Sequence, residues 1–390
     1  MSSSVETPGP GRNVAILRKA RAISQVGLAR EAGVSVSLLS KIEVGERTLS
    51  HGVAAALARA MGITLDEVLG RARVRHDGES RLQELRAAIR RFDLPGEPPE
   101  NPGEVLGQVG ELFRLRAAAD LSGVLEKLPR LLGAATNQAH QSAAPDSWSV
   151  VSDIYSSVYW IAARHRWTDL AELAVVKQRL AAERANPFTA AVASRDEAGT
   201  FLNSGDFEGG LTVVDRAIVR AESSMAGRQR ALGLGVLHLR GMTLAGRMGD
   251  RAEAERHAAA AWKAAEGLPE DVDLGGITFG PENTATHVVA TSVDLEKHRD
   301  ALRVGEELAR RPHHLPATRV APHHLNLARA KLALRDRGGA LDSLAAAWDA
   351  APQMAKVHPT SQELIRVLIS LHKRSNPTLT KVAQRAGLTL

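Results

Sequence analysis

The chain has 390 residues, 44% hydrophobic and 24% charged, with only 3% aromatic side chains and no cysteine. That composition is ordinary for a soluble globular protein of two or three domains, and it excludes disulfides, thiolate zinc sites and cysteine nucleophiles. The net charge of +6 comes from residues 12–75 alone, where 11 Lys/Arg face 5 Asp/Glu; the other 39 basic and 39 acidic residues cancel.

A compact basic module on a neutral body is the electrostatic footprint of phosphate-backbone binding. Ala, Leu, Arg and Glu dominate, and no run of alternating β-branched residues appears. An all-α chain is expected. No apolar run reaches the ~18 residues of a membrane span, so no membrane partner and a cytoplasmic location are expected.

Residues 1–11, "MSSSVETPGPG", lack the basic and apolar regions of a signal peptide and read as a disordered leader. Residues 12–75 then show apolar spacing for five short helices. The first covers roughly Asn13–Ala20. The second follows Ser24, a good N-cap, and runs to about Ala32, where Gly33 ends it. Ser35 caps a third to about Glu43. A fourth spans about Gly52–Met61, and Thr64-Leu-Asp-Glu67 is a capping box for the fifth. Leu28, Val34, Leu39 and Ile42 point inward, Ala29 is small where a second helix must cross, and Gly33 sits at the turn.

That constellation, in "LRKARAISQVGLAREAGVSVSLLSKIEVGE" and "LARAMGITLDEVLG", resembles the DNA-binding domain of the Xre, or phage-repressor, family. The resemblance covers about 15% of the chain and implies a five-helix, lambda-repressor-like domain whose recognition helix is Ser35–Glu43. It implies that the Gln25 amide and its helix N-terminus hold a phosphate. It also implies that Arg18 and Glu43 pair between the first and third helices as architecture. Base contacts fall to the start of the recognition helix. Lys41 can donate to guanine, Ser37 and Ser40 to a base edge or phosphate, and Val36 can only pack. Ser35 and Arg47 complete the DNA-contacting set. Gly27, Val44 and Glu46 depart from the family pattern.

Residues 76–103 read as a linker with one helix, Ser80–Phe92, and a Pro/Gly-rich break, "DLPGEPPENPG". Residues 104–390 repeat a helix-turn-helix pattern. Turn signatures begin at His165, Gly205, Gly249, Glu296 and Arg335, spaced 40, 44, 47 and 39 residues apart. Five places after each start stands Leu170, Gly210, Ala254, Ala301 or Ala340. This predicts an α-solenoid in which each helix pair buries its face against its neighbours. The units resemble degenerate tetratricopeptide (TPR) repeats with long helices. A tail pair, Gln362–Lys373 and Leu379–Ala386, is expected to cap the stack.

Residues 267–286 read as a glycine-rich loop interrupting the pattern, followed by a helix starting at Pro281. Asn283, His287 and, further on, Asn326 are the effector-site candidates. The pairs His313-His314 and His323-His324 have no metal-ligating spacing, and no P-loop, HExxH or GxSxG motif occurs. No metal, cofactor or enzyme activity is expected.

An Xre-like head on a TPR-like body resembles Gram-positive regulators whose repeat domain senses a peptide or other signal. The resemblance implies a transcriptional regulator that binds double-stranded DNA as a homodimer on a palindromic operator and answers to a peptide or small-molecule effector. The alternative is a repeat scaffold that docks a partner protein, with a weak or non-specific DNA-binding head.

Overall fold

The computed structural model describes residues 9–70, 79–310, 314–371 and 376–388. The first eight residues of the leader, the junction at 71–78, His313 and the end of the first tail helix, with Lys373, lie outside the described residues.

The head contains α1 (Pro10–Ala20), α2 (Gln25–Glu31), α3 (Val36–Glu43), α4 (His51–Met61) and α5 (Leu65–Val68). Local chemistry sets these boundaries. Pro10 stands in the first turn of α1, so that helix begins three residues before the sequence pattern suggests. Ser24, Ser35 and Ser50 each accept a hydrogen bond from the backbone N–H three residues on. Thr64 and Glu67 complete the capping box. Val14, Leu28, Ala29, Leu39, Ile42 and Leu57 form the buried centre.

The body is built from α6 (Glu79–Arg90), α7 (Pro102–Ala117), α8 (Leu121–Ser142), α9 (Pro145–His165), α10 (Thr168–Ala182), α11 (Pro187–Ser204), α12 (Phe207–Ser224), α13 (Gly227–Met248) and α14 (Arg251–Ala265). The hairpin β1 (Val272–Leu274) and β2 (Ile277–Phe279) follows. Then come α15 (Pro281–Asp294), α16 (His298–Ala309), α17 (Ala317–Ala333), α18 (Arg337–Ala350), α19 (Pro352–Val357), α20 (Pro359–Leu371) and α21 (Pro377–Ala386).

All five sequence signatures fall at the turns inside the pairs α9/α10, α11/α12, α13/α14, α15/α16 and α17/α18. A single left-handed residue breaks each first helix: Arg166 (φ 57°), Gly205 (84°), Gly249 (88°), Glu296 (60°) and Arg335 (67°). The small or apolar residue that follows is buried in every case. At Gly210 a Cβ would meet Leu244 Cδ2 at 2.7 Å, so the helices cross closely there and a larger residue would displace Leu244. A sixth turn with the same geometry joins α7 to α8, where Ala119 is left-handed and Asp120 caps.

From α7 onward each helix packs on the next helix in sequence, and α9, α11, α13, α15 and α17 also pack on one another in order. These odd-numbered helices are the inner layer of a curved stack. The stack closes: α17 reaches α7, α19 reaches α9, and Gln353 hydrogen-bonds both Ser122 and Asp120 at 2.9–3.0 Å. One hydrophobic cluster therefore runs from α6–α10 to α17–α21. The tail helices close a ring as well as capping a stack.

Three regions differ from the sequence reading. The helix expected in the linker is part of the body, since Leu82, Leu85, Ile89 and Phe92 are buried in that cluster. The glycine-rich segment holds an antiparallel hairpin pairing Val272 with Phe279, a small addition to an otherwise helical chain. Its two-residue turn, Gly275-Gly276, has φ 58° and 74°, the conformation that a tight hairpin demands and that glycine adopts without strain. Third, the head is not separate: its core is continuous with residues of α11–α14.

Candidate nucleic-acid interface and interior cavity

The recognition segment is held from behind. Arg18 on α1 donates from Nε and Nη2 to Glu43 on α3 at 2.7 and 2.9 Å. Both side chains are less than a tenth exposed. Gln25 Nε2 donates to Glu43 Oε2 at 2.7 Å, so α1, α2 and α3 meet at one carboxylate. Burial raises the Glu43 pKa, but its bonds to Arg18 and Gln25 outweigh that, and it lies below the usual range. Arg18 also donates to Ile23 O at 2.8 Å, tying down the α1–α2 turn. The α2–α3 turn is fixed by Gly33 in the left-handed region and by Val34 N donating to Ala29 O at 2.9 Å.

In front of this anchor, Ser35, Val36, Ser37 and Lys41 are exposed and Ser40 is half-buried. The Ser35 hydroxyl accepts from Leu38 N at 3.1 Å and so caps α3. Val26, Val36 and Val44 are 64%, 41% and 66% exposed around the same surface, which gives it an apolar character. Gln25 is placed with its amide on Glu43. Arg47 is placed elsewhere: its guanidinium lies 2.7 Å from Glu296 in the α15–α16 turn. It belongs to the junction between head and body, as does Leu49, whose N–H donates to Glu363 on α20 at 2.6 Å.

This geometry carries the features of a DNA-reading helix pair, and a helix-turn-helix family model matches residues 14–68. The head is an Xre-type helix-turn-helix domain. No curated protein matches the chain. Among solved structures, the apo form of the competence regulator ComR from Streptococcus vestibularis matches over 97% of this chain and 98% of that one, at 13% identity and a TM-score of 0.20.

Beneath the Xre-type head, the inner helices enclose a cavity of about 260 Å³. Its wall carries Arg116 of α7, Arg164 of α9, Arg195 of α11, Arg240 of α13 and Arg319 of α17. Asn283 and His287 are also in the wall, and His51 and Leu65 of the head close one side. Asn326 is not in the wall: it donates to Pro322 O at 3.0 Å and accepts from Arg329. The Asn283 amide is committed to the hairpin, donating to Thr278 O at 2.7 Å. His287 Nδ1 lies 3.3 Å from Thr243 Oγ1. Its pKa is lowered by burial and then by neighbouring arginines.

Sequence reasoning passes over these arginines because the charge outside residues 12–75 sums to zero. A signal is present for some of them: Arg116, Arg240 and Arg319 lie within helices and are flanked directly by small or apolar residues, as in "VLHLRGM" and "PATRVAP". An arginine so placed either snorkels or faces an interior space.

One cluster of acids and histidine invites a metal reading. Asp215, Glu253 and His257 bring their ligand atoms together, but Arg256 binds both carboxylates and fills the role of the cation. No helix among the described residues is long and apolar enough to cross a membrane.

Proposed function

We propose that the protein is a sequence-specific, DNA-binding transcriptional regulator of the cytoplasm, and not an enzyme. Its TPR-like body would dimerise on a palindromic operator and take up a peptide or small-molecule effector. The observation that carries this reading is the exposed N-terminal face of α3, rigidly backed by the Arg18–Glu43–Gln25 anchor. One short helix with a single long donor, Lys41, makes few base contacts; two linked heads multiply them through effective concentration.

Effector and head have a shared surface, because His51 and Leu65 line the interior cavity. An occupant there touches both the inner helices and the head, so it shifts the head's position by its differential contacts.

The test is DNA binding measured against salt, with the protein's own promoter region and a scrambled duplex. A regulator loses affinity steeply with salt, with a log–log slope of about −0.9 per phosphate neutralised, and prefers one sequence. Lys41→Ala should remove about 1–3 kcal/mol of that preference. Gln25→Ala should weaken binding to all sequences alike. Salt-steep binding that ignores sequence, unchanged by Lys41→Ala, would replace this reading with that of a protein-docking scaffold.

A further inference from the structure

The interior cavity is far more cationic than its surroundings explain. Seven arginines line it. Arg247 pairs with Asp294 at 3.6 Å and Arg166 is engaged in the α9–α10 turn, while the other five come one each from α7, α9, α11, α13 and α17. Asp196 is buried near these arginines and is held by three neighbours. It accepts from Arg195 at 2.5 Å, from Ser156 Oγ at 2.7 Å and from Gln178 Nε2 at 3.2 Å. Asp153 is pushed up to about 7 by burial, so at neutral pH it supplies only part of a charge.

Among the described residues, no carboxylate lies within ion-pair distance of Arg116, Arg164, Arg240 or Arg319. Arg116 has only the hydroxyls of Ser156 and Ser157, at 3.3 and 3.2 Å. Arg240 donates to Arg195 O at 3.1 Å. Arg164 lies over the Trp160 ring, 5.2 Å from its centroid, with Arg116 at 5.7 Å. Arg319 Nε is buried with no hydrogen-bond partner.

Burying like charges unpaired is costly, and packing alone gives no reason to hold five together. The burden shows on the groups themselves: burial and mutual repulsion hold Arg116 and Arg164 down to about 10 and Arg319 to about 9. An anion of matching charge relieves all of them at once.

We propose that this cavity binds a small, multiply charged phosphoryl anion, a pyrophosphate or phosphate ester, through the guanidinium groups of Arg164 and Arg319, with Arg116, Arg195 and Arg240 supplying the surrounding charge. Guanidinium forks match phosphoryl oxygens in bidentate geometry. A single carboxylate, such as a peptide C-terminus, neutralises only one of the uncompensated charges. The cavity lies below the about 300–1,000 Å³ of sites for drug-sized ligands, which suits a compact anion and not a folded-in peptide. The effector of the proposed regulator is then phosphorylated. That consequence rests on the regulator reading, whereas binding itself does not.

The experiment is calorimetry and thermal unfolding of the full chain without DNA, at constant ionic strength. The probes are inorganic pyrophosphate, inorganic phosphate, glycerol phosphate and citrate. The variants are Arg319→Gln, Arg164→Gln and, as an exposed control on α12, Arg216→Gln. Pyrophosphate should bind the wild type and raise its Tm, and citrate should bind more weakly. Glycerol phosphate binding better than pyrophosphate assigns the ester form; the reverse assigns the free diphosphate. Each cavity variant should weaken binding about tenfold or more, and Arg216→Gln should leave it unchanged.

Removing one unpaired buried charge should leave unliganded Arg319→Gln at least as stable as the wild type, which separates loss of the site from loss of the fold. The proposal falls if pyrophosphate does not bind, if citrate binds more tightly, or if Arg319→Gln binds as the wild type does. It also falls if unliganded Arg319→Gln is destabilised. A protein that binds pyrophosphate but no DNA retains this site and loses the regulator reading.

Discussion

The head and the body interior both present cationic surfaces, built on opposite plans. In the head the deeply placed cation is paired: Arg18 meets Glu43 in bidentate geometry and Gln25 completes the carboxylate. The exposed reading face is sparse, with Lys41 its one long donor. In the interior the cations are many and their acids few, with Arg319 Nε left unbonded. Pairing makes a rigid support, and unpaired charge makes a site in want of a ligand. Net charge does not distinguish the two: outside residues 12–75 the chain sums to zero, yet arginines gather at one cavity of the body.

The largest effect expected comes from making the head resemble the cavity. Glu43→Ala strands Arg18 in a buried position and should cost on the order of 3–5 kcal/mol, measured by urea unfolding followed at the head. A cost near zero would dissolve the contrast between paired and unpaired arginine.

The second is a pH effect on the body. Burial raises Asp153 to about 7 and Asp271 to about 6. Each contributes stability that is complete below the ordinary aspartate range and is lost as pH rises through these values. The Nδ1 atoms of His238 and His257 lie 2.9 Å apart in the core. Burial, first among the causes, holds both down to about 4. Their contribution is complete above the ordinary histidine range and is lost as pH falls towards 4. The two trends oppose each other between about pH 4 and 7. Asp153→Asn removes one of the falling contributions, so unfolding free energy should climb more steeply with pH in the variant than in the wild type. Parallel curves for the two proteins would show that Asp153 is not so perturbed.

The smallest effect concerns the junction. Arg47 and Glu296 are about half and two-thirds exposed, and such pairs contribute roughly 0.2–1 kcal/mol. Glu296→Ala should barely move stability, because apolar packing of the head on α11–α14 does most of the holding. A loss well above 1 kcal/mol would mean that the ion pair, and not the shared core, seats the head.

Much of this is legible in the sequence for local reasons. Ser24, Ser35, Ser50 and Thr64 are N-caps whose hydroxyls act within three residues. The turn signatures at His165, Gly205, Gly249, Glu296 and Arg335 report left-handed breaks that depend on the adjoining residues alone. The Gly275-Gly276 hairpin is equally local, but its three-residue strands are too short to show an alternating pattern. Arg47 reads with the head because it is close in sequence to α3; its partner, Glu296, is 249 residues away. Asn283 reads as a free amide on a helix face, whereas a backbone carbonyl from the hairpin occupies it.

By itself the sequence determined the approximate course of the helices, the Xre-type head and the repeating pairs, because caps, turns and amphipathic spacing act over one or two turns of helix. Only the tertiary structure decided that the stack closes on itself, that the head shares its core, and that arginines from five separate helices face a single cavity. Those outcomes depend on the accumulated curvature of successive helix pairs, a property of packing over hundreds of residues that no local pattern encodes.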